Sequence, residues 1–459
     1  MILPFVALLA AIALAPLCAP KFWHHHYPKV AIALACVTLA YYLGGLHAWQ
    51  RVLQVSEEYL TFIVLIGSLF VVSGGIRITI KGEGTPAENV LFLLFGAVLA
   101  NLVGTTGASM LLIRPWMRLN KYRLTSYHIV FFIFIVSNVG GALTPIGDPP
   151  LFLGYLKGVP FWWVAEKVWP IWLTGVGVLL GMFFLVDRNH YLRAPAHVRA
   201  RHAESPDEWR LEGLHNFLFL LLILVAVFIA RPPFVREVLM LAAAAGSWFT
   251  TRREIRAANH FNFEPIREVA ILFIGIFATM IPALDWLETN SRTLMQPTAT
   301  TFFWGSGALS SFLDNAPTYL SFLSAEIGSF VDPAAVRDLL DTVPQGAAAL
   351  AASTNASAIA VLQQYRAADL VAGTLSADHA RIAFLLAEPT FARVLVALSV
   401  GAVFFGANTY IGNGPNFLVK SIAEQQKVPM PTFLGYVFKY TLPFMLPMLF
   451  VVWLLFFRG

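Results

Sequence analysis

GALTPIGDPPLFL at residues 141–153 and GANTYIGNGPNFL at residues 406–418 are two copies of one pattern, 265 residues apart. Gly141/Gly406, Ala142/Ala407, Thr144/Thr409, Ile146/Ile411, Gly147/Gly412, Pro150/Pro415, Phe152/Phe417 and Leu153/Leu418 pair without a gap. Each copy sets glycines and prolines in the middle of a run otherwise apolar enough to cross a bilayer, which predicts a helix broken near the midplane. Broken helices in corresponding positions of two halves of a chain point to the binding site of a secondary transporter.

The rest of the chain has the composition that such segments need. Of its 459 residues 58% are hydrophobic, 14% aromatic and only 12% charged, with a mean hydropathy of +0.69. That is more apolar surface than a soluble domain hides, and it predicts a multi-pass protein of the cell (inner) membrane with the lipid bilayer as its first partner. A formal charge of +5 is too small and too dispersed for a nucleic-acid partner. It reads as the Lys and Arg excess of cytoplasmic loops. Cys18 and Cys36 fall in or beside apolar runs, giving neither a disulfide framework nor a metal spacing. Ile2 to Leu17 has no charged segment ahead of its apolar run, and is read as a retained span. His24, His25 and His26, between Trp23 and Tyr27, read as an interfacial anchor beside an aromatic belt.

Apolar runs at 30–46, 59–80, 88–113, 127–156, 161–186, 214–230, 235–250, 268–287, 299–330, 392–423 and 432–457 are the candidate membrane elements. The run at 88–113 breaks at Gly104-Thr105-Thr106-Gly107, and the run at 299–330 breaks at Asp314-Asn315-Ala316-Pro317. Either break leaves halves too short for a hydrocarbon core about 30 Å thick, so both read as re-entrant hairpins. Basic residues favour that reading. With a first hairpin that returns, Arg77, Lys81, Arg114, Arg118, Lys121 and Arg123 share a side with Arg188, Arg193, Arg199, Arg201, Arg210, Arg252, Arg253 and Arg256. The other side receives little beyond Lys157, Lys167, Arg231 and Arg236. The first side is then cytoplasmic, and the second hairpin opens from the opposite face.

The expected fold is an all-α polytopic membrane protein with two inverted repeats, each with a re-entrant hairpin and a broken transmembrane helix. Residues 1–87 hold N-terminal spans. The first repeat, 88–186, has a hairpin at 88–118, a broken helix at 126–156 and a closing helix at 160–186. A cytoplasmic linker at 187–212 leads to linking spans at 213–265. The second repeat, 266–457, has a span at 266–288, a hairpin at 297–331, an extramembrane insertion at 332–390, a broken helix at 391–425 and a closing helix at 432–457. The Ala-rich, polar insertion reads as small helices outside the membrane, a tolerated surface insertion ahead of the alternative of a lid or stabilising cap, and its residues assign it no function.

These motifs resemble those of the ion-transporter superfamily that holds the D-type sodium/proton antiporters, the sodium-coupled citrate and dicarboxylate carriers and the arsenite carriers. SNVGGALTPIGD at 137–148 is most similar to the antiporter branch, whereas IGNGPNFL at 411–418 resembles the carboxylate and arsenite branches as well. The resemblance covers both repeats, 88–186 and 268–457, with four polar breaks in the family's order. It implies a homodimer whose scaffold includes residues 1–87. Its mobile transport domain, made of the two hairpins and two broken helices, moves as an elevator.

The site follows from the residues without the family. Half-helix ends inside a bilayer present carbonyls that suit cations and amides that suit anions. Side-chain charge then decides the ligand. Asp148 in the first broken helix and Asp314 at the second hairpin tip are carboxylates at the breaks. An ionised Asp at a helix centre costs about 2.5–3.5 kcal/mol on insertion scales, so each should be protonated, paired or bound to a cation. The expectation is that Asp148 and Asp314 alternate between H+ and Na+, the transported ions, with no other cofactor. Oxygen ligands would come from Thr144, Thr409, Asn315, Asn408, Asn413 and backbone carbonyls. Thr105 and Thr106 stand at the first hairpin tip, and Asn138 upstream of the first break orients the helix. A helix-cap role is the plainer alternative for either Asp. Asp285, Glu288, Glu57, Glu58 and His128 read as interface residues, and Lys439 is open between snorkelling and pairing.

The rival is a Na+-coupled citrate or dicarboxylate symporter, in whose branch the hairpin tips typically carry neutral Ser-Asn-Thr. Two extra carboxylates repel an anion unless protonated or neutralised by Na+, so the charges favour a cation. No Ser/His/Asp order, HExxH or paired metal motif falls in the spans, which argues against an enzyme. Paired broken helices suit alternating access rather than a channel.

Overall fold

The computed structural model describes residues 2–79, 84–193, 210–229, 232–294 and 297–459. Lys81, Arg199, Arg201 and Arg231, used above to weigh the two sides, lie outside the described residues. Eight helices among the described residues are long and apolar enough to cross a membrane. Their outward faces carry large apolar side chains such as Leu185, Leu218 and Phe249, as a lipid-facing surface requires. The chain is an all-α polytopic membrane protein.

The N-terminal part is α1 (Leu3–Cys18), α2 (Pro20–Ala40, continued by a π turn at Tyr41–Gly45) and α3 (Trp49–Ser73). The triple histidine lies inside α2, where His25 and His26 bond to carbonyls one turn earlier. A short strand, β1 (Arg77–Thr79), then pairs antiparallel with β2 (Arg210–Glu212). The expected linker at 187–212 is therefore shorter. α7 (Phe161–Arg193) carries helix seven residues beyond 186, and the linker's far end is tied back beside α3. Residues 194–209 lie outside the described residues.

α4 (Pro86–Leu119) starts with a reciprocal cap, Thr85 with Glu88. Within it only Gly104 leaves helical dihedrals, at φ 77° and ψ 154°, a region open to glycine. The expected four-residue break is thus a single residue. The two ends of α4 meet: the Gly84 N–H donates to the Leu119 carbonyl at 2.7 Å, and the amides of Asn89 and Asn120 pair at 2.8 and 3.1 Å. α5 (Ser126–Ile135), a 3₁₀ turn at Val139–Leu143 and α6 (Pro149–Leu156) form the first broken segment.

After α8 (Asn216–Val227), α9 (Val235–Thr250) and α10 (Arg253–Ala258), α11 (Glu264–Leu294) leads into α12 (Ala299–Ser310) and α13 (Asn315–Phe330). The break expected at 314–317 falls at 311–314. Asn315, Ala316 and Pro317 already form the first turn of α13, where proline's missing N–H is tolerated. α12 and α13 lie against each other, with the rings of Phe302 and Phe322 5.4 Å apart.

The insertion is ordered helix: α14 (Pro333–Thr342), α15 (Ala347–Ala352), α16 (Ala356–Val371) and α17 (Ala377–Ala387). Leu339, Ile359, Leu362 and Leu385 bury its inner face. α18 (Pro389–Phe405), a 3₁₀ turn at Gly406–Asn408 and α19 (Gly414–Gln425) form the second broken segment. α20 (Phe433–Phe457) closes the fold, wound as π-helix over Val437–Met445 and Trp453–Phe457.

Two ionic clusters bracket these elements. In one, buried Asp187 of α7 accepts from Arg123, from Tyr127 Oη at 2.8 Å and from Asn89 Nδ2 at 2.8 Å, while Arg123 also donates to the Gly84 carbonyl at 2.6 Å. His128, expected at an interface, is fully buried here, its Nε2 3.3 Å from Asp187. In the other, Lys157 pairs with Glu58 at 2.6 Å and stands 3.7 Å from Asp378 of the insertion. Arg381 pairs with Glu288 at 3.3 Å, and Arg51 with Asp285 at 2.8 Å. A helix rises about 1.5 Å per residue, which sets Asp187 about 39 Å from the start of α7 and puts the clusters at opposite ends of the molecule.

Candidate functional site

Asp148 ends the first break and precedes α6. Its carboxylate does not cap that helix: Pro149 and Pro150 hold the first two helical positions and have no N–H to offer, and the Leu151 N–H goes to the Asp148 carbonyl at 3.1 Å. The side chain turns inward instead and is 1% exposed. Oδ1 accepts from Thr105 Oγ1 at 2.7 Å and from Asn413 Nδ2 at 3.0 Å, and Oδ2 accepts from Asn315 Nδ2 at 2.6 Å. One donor comes from the bend of α4, one from the start of α13 and one from the second broken segment. Four breaks among the described residues thus meet at one carboxylate.

The two broken segments are held by equivalent bonds. Thr144 Oγ1 donates to the Asn101 carbonyl at 2.6 Å and accepts from the Gly147 N–H at 3.1 Å. Thr409 Oγ1 donates to the Ser311 carbonyl at 2.5 Å and accepts from the Gly412 N–H at 3.2 Å. Asn101 precedes Thr105 by four residues, as Ser311 precedes Asn315, so the supports and the donors recur together. Across the centre Asn413 faces Asp148, its own counterpart in the pattern. The Asn413 amide also donates to Asn138 Oδ1 and to the Ser137 carbonyl, both at 3.2 Å. Asn138 in turn donates to Asn416 Oδ1 at 2.7 Å, and Asn416 donates to the Gly406 and Thr409 carbonyls at 2.8 Å.

Many of the carbonyls at the breaks are therefore already accepting. Tyr436 Oη donates to the Ala407 carbonyl at 2.9 Å, and Thr441 Oγ1, in the π stretch of α20, donates to the Asn408 carbonyl at 2.7 Å. The Asn408 amide donates to Ser311 Oγ at 2.9 Å. Two buried amide oxygens near the breaks have no hydrogen-bond partner, Asn315 Oδ1 and Asn408 Oδ1. Such acceptors are expensive to leave empty in an apolar surround and are ready ligands for a cation. Among the described residues no Lys, Arg or His lies within ion-pair distance of Asp148 or Asp314. No cluster of three or more His, Cys, Asp or Glu is present among them either.

Asp314 is placed differently from Asp148. It is half-buried and caps α13, its Oδ1 accepting from the Ala316 N–H at 3.0 Å. It makes no hydrogen bond to Asp148. Thr106 is half-buried and lines, with Leu69, Phe70, Thr105 and Asp148, a cavity of about 30 Å³. That is room for an ion or a water molecule. Lys439 is exposed.

Asn101, Ser137, Ser311 and Asn416 support the site and were not singled out from the sequence. Asn416 had a visible signal, since it stands where the first copy of the pattern has Leu151. Asn101 and Ser311 had one in their equal spacing ahead of the two hairpin residues.

A multi-pass helical protein whose broken helices meet at a buried carboxylate is built as a membrane transporter. A family model described as "putative citrate transport" matches residues 1–457, and the chain belongs to that family. The match supports the superfamily of citrate and ion carriers. No curated protein matches the chain.

Proposed function

We propose that the protein is a secondary active transporter that exchanges Na+ for H+ at Asp148. The observation that carries this is the convergence of Thr105, Asn315 and Asn413 on a buried carboxylate with no cationic partner among the described residues. A carboxyl group so placed is stable as the neutral acid or with a small cation against it. Proton and cation compete for the same two oxygens, and competition is sufficient for exchange. Na+ would take Asp148 together with the unpaired amide oxygens of Asn315 and Asn408, hard ligands suited to it. Asp314 joins as a ligand if the turn at 311–314 releases it from Ala316.

In this reading α4 and the α12–α13 pair are re-entrant hairpins of two inverted repeats. The matched bonds of Thr144 with Asn101 and of Thr409 with Ser311 support that. The hairpins and broken segments move as an elevator against the scaffold of a homodimer in the cell inner membrane, as the resemblance implies.

The family's description, citrate transport, favours a second reading, which with Na+ as the coupling ion is a Na+-coupled citrate symporter. A tricarboxylate would meet Asp148 with no Lys or Arg among the described residues paired to it, so it would bind only after cations had neutralised the site. Purified protein in liposomes with an internal pH dye separates the two. Proton efflux driven by external Na+ alone and lost in Asp148→Asn is the expected result. Labelled citrate accumulating in a Na+ gradient, with no proton movement on Na+ alone, overturns exchange in favour of symport.

A further inference from the structure

We propose that Glu326 is a second proton-binding site, so that each transport cycle moves one proton more than Asp148 alone provides. The inference rests on the reading of the chain as an ion-coupled transporter. Glu326 lies in α13, is fully buried, and neither of its carboxyl oxygens has a hydrogen-bond partner among the described residues. It stands one turn inside Phe330, whose ring stacks on Phe391 of α18 at 4.0 Å. Tyr319, two turns before it on the same face of α13, is also fully buried.

Among the described residues, these charged groups on the helices packed against α13 have partners of their own. Arg381 pairs with Glu288 and Asp378, Lys157 with Glu58, Asp285 with Arg51, and His379 lies 3.6 Å from Asp369. Arg393 of α18 donates to the carbonyls of Phe456 and Gly459. Glu388 is exposed at the start of α18. An ionised carboxylate with no partner in an apolar interior costs so much that the group takes up a proton instead. Glu326 therefore holds one in this conformation.

That proton is coupled to the site by the helix carrying it. Asn315, which donates to Asp148, opens α13, and Glu326 follows about 16 Å further along the same rigid rod. A shift of α13 that frees Asn315 from Asp148 also draws Glu326 out of its apolar contacts. The ionic cluster of Arg381 and Glu288 lies on the neighbouring helices α17 and α11. In contact with that cluster or with water the carboxyl releases its proton, and on return it takes another.

The test uses Glu326→Gln, which imitates the neutral acid, and Glu326→Leu, which keeps the volume without polar atoms. In purified protein with Na+ saturating Asp148, the infrared carbonyl stretch of a protonated carboxylic acid should persist at pH 8, vanish in both Glu326 variants and survive in Asp148→Asn. In liposomes both variants should still exchange Na+, with the protons moved per Na+ halved. A wild-type carbonyl band that disappears with the ordinary surface carboxylates, or an unchanged ratio of protons to Na+ in Glu326→Gln, overturns the proposal. Loss of the exchange reading itself would appear separately, as wild-type protein that moves no protons on Na+ alone while the carbonyl band persists.

Discussion

Asp148 and Asp314 were equal candidates in the sequence, and the residues that follow each one separate them. After Asp314 come Asn315 and Ala316, whose N–H groups a carboxylate can cap, and it caps Ala316. After Asp148 come two prolines with no N–H, so its carboxylate is left for Thr105, Asn315 and Asn413. The charge was legible; its direction depended on three segments remote in sequence. The matched copies make a further prediction at this scale. Asn413 is the counterpart of Asp148 and already touches it, so a carboxylate moved to position 413 stays at the same centre. Asp148→Asn should abolish Na+-driven proton efflux, and adding Asn413→Asp should restore part of it. A swapped protein as inactive as the single variant would mean that the ring of donors, and not the charge alone, defines the site. Asn413→Ala, which keeps the carboxylate but removes one donor, should weaken Na+ binding by about tenfold to a hundredfold, since a hydrogen bond to a charged group is worth about 1.5–3 kcal/mol. Isothermal titration with Na+ at fixed pH measures it.

At the scale of elements, the sequence showed where helices break better than where they end. Gly104 was visible as a breaker, and its positive φ explains why a single residue suffices to turn α4. The extent of α7 was not visible, because Asp187 and Arg188 look like the end of a span. Asp187 remains helical since its charge is buried against Arg123, Tyr127 and Asn89, groups drawn from the turn after α4, from α5 and from the start of α4. His128 was set at an interface for the same reason: nothing near it in sequence announces a buried acid. The knot therefore fixes the open end of the α4 bend. Replacing one member of a buried ionic pair leaves an uncompensated charge and costs about 3–5 kcal/mol. Asp187→Asn should lower the thermal unfolding midpoint of the detergent-purified protein strongly, whereas Lys439→Gln, at an exposed position, should leave it unchanged. Equal midpoints for the two variants would show that the knot contributes little to the fold.

Across the whole molecule, the two ionic clusters and the carboxylate between them fix a vertical order. From the knot at Asp187, the arm of α4 from Asn89 to Gly104 is about 22 Å long, and α6 runs about 13 Å from Asp148 to Lys157. Together they approach the rise of α7 between the same two clusters, which sets Asp148 inside the span and nearer the insertion. The insertion was legible as small helices but not as a structural partner. Its Asp378 and Arg381 reach Lys157 and Glu288 through contacts that no local pattern announces. This order predicts sidedness. In a background of Cys18→Ser and Cys36→Ser, Ala87→Cys and Lys121→Cys flank the joined ends of α4, while Arg337→Cys lies on the insertion; all three positions are exposed. A membrane-impermeant maleimide applied to right-side-out and inverted vesicles should label 87 and 121 from one side and 337 from the other. The Gly84–Leu119 bond at the mouth of the bend requires the first pair to share a side. Labelling of 87 and 121 from opposite sides would make α4 a crossing helix, and would remove both the inverted repeats and the elevator built on them.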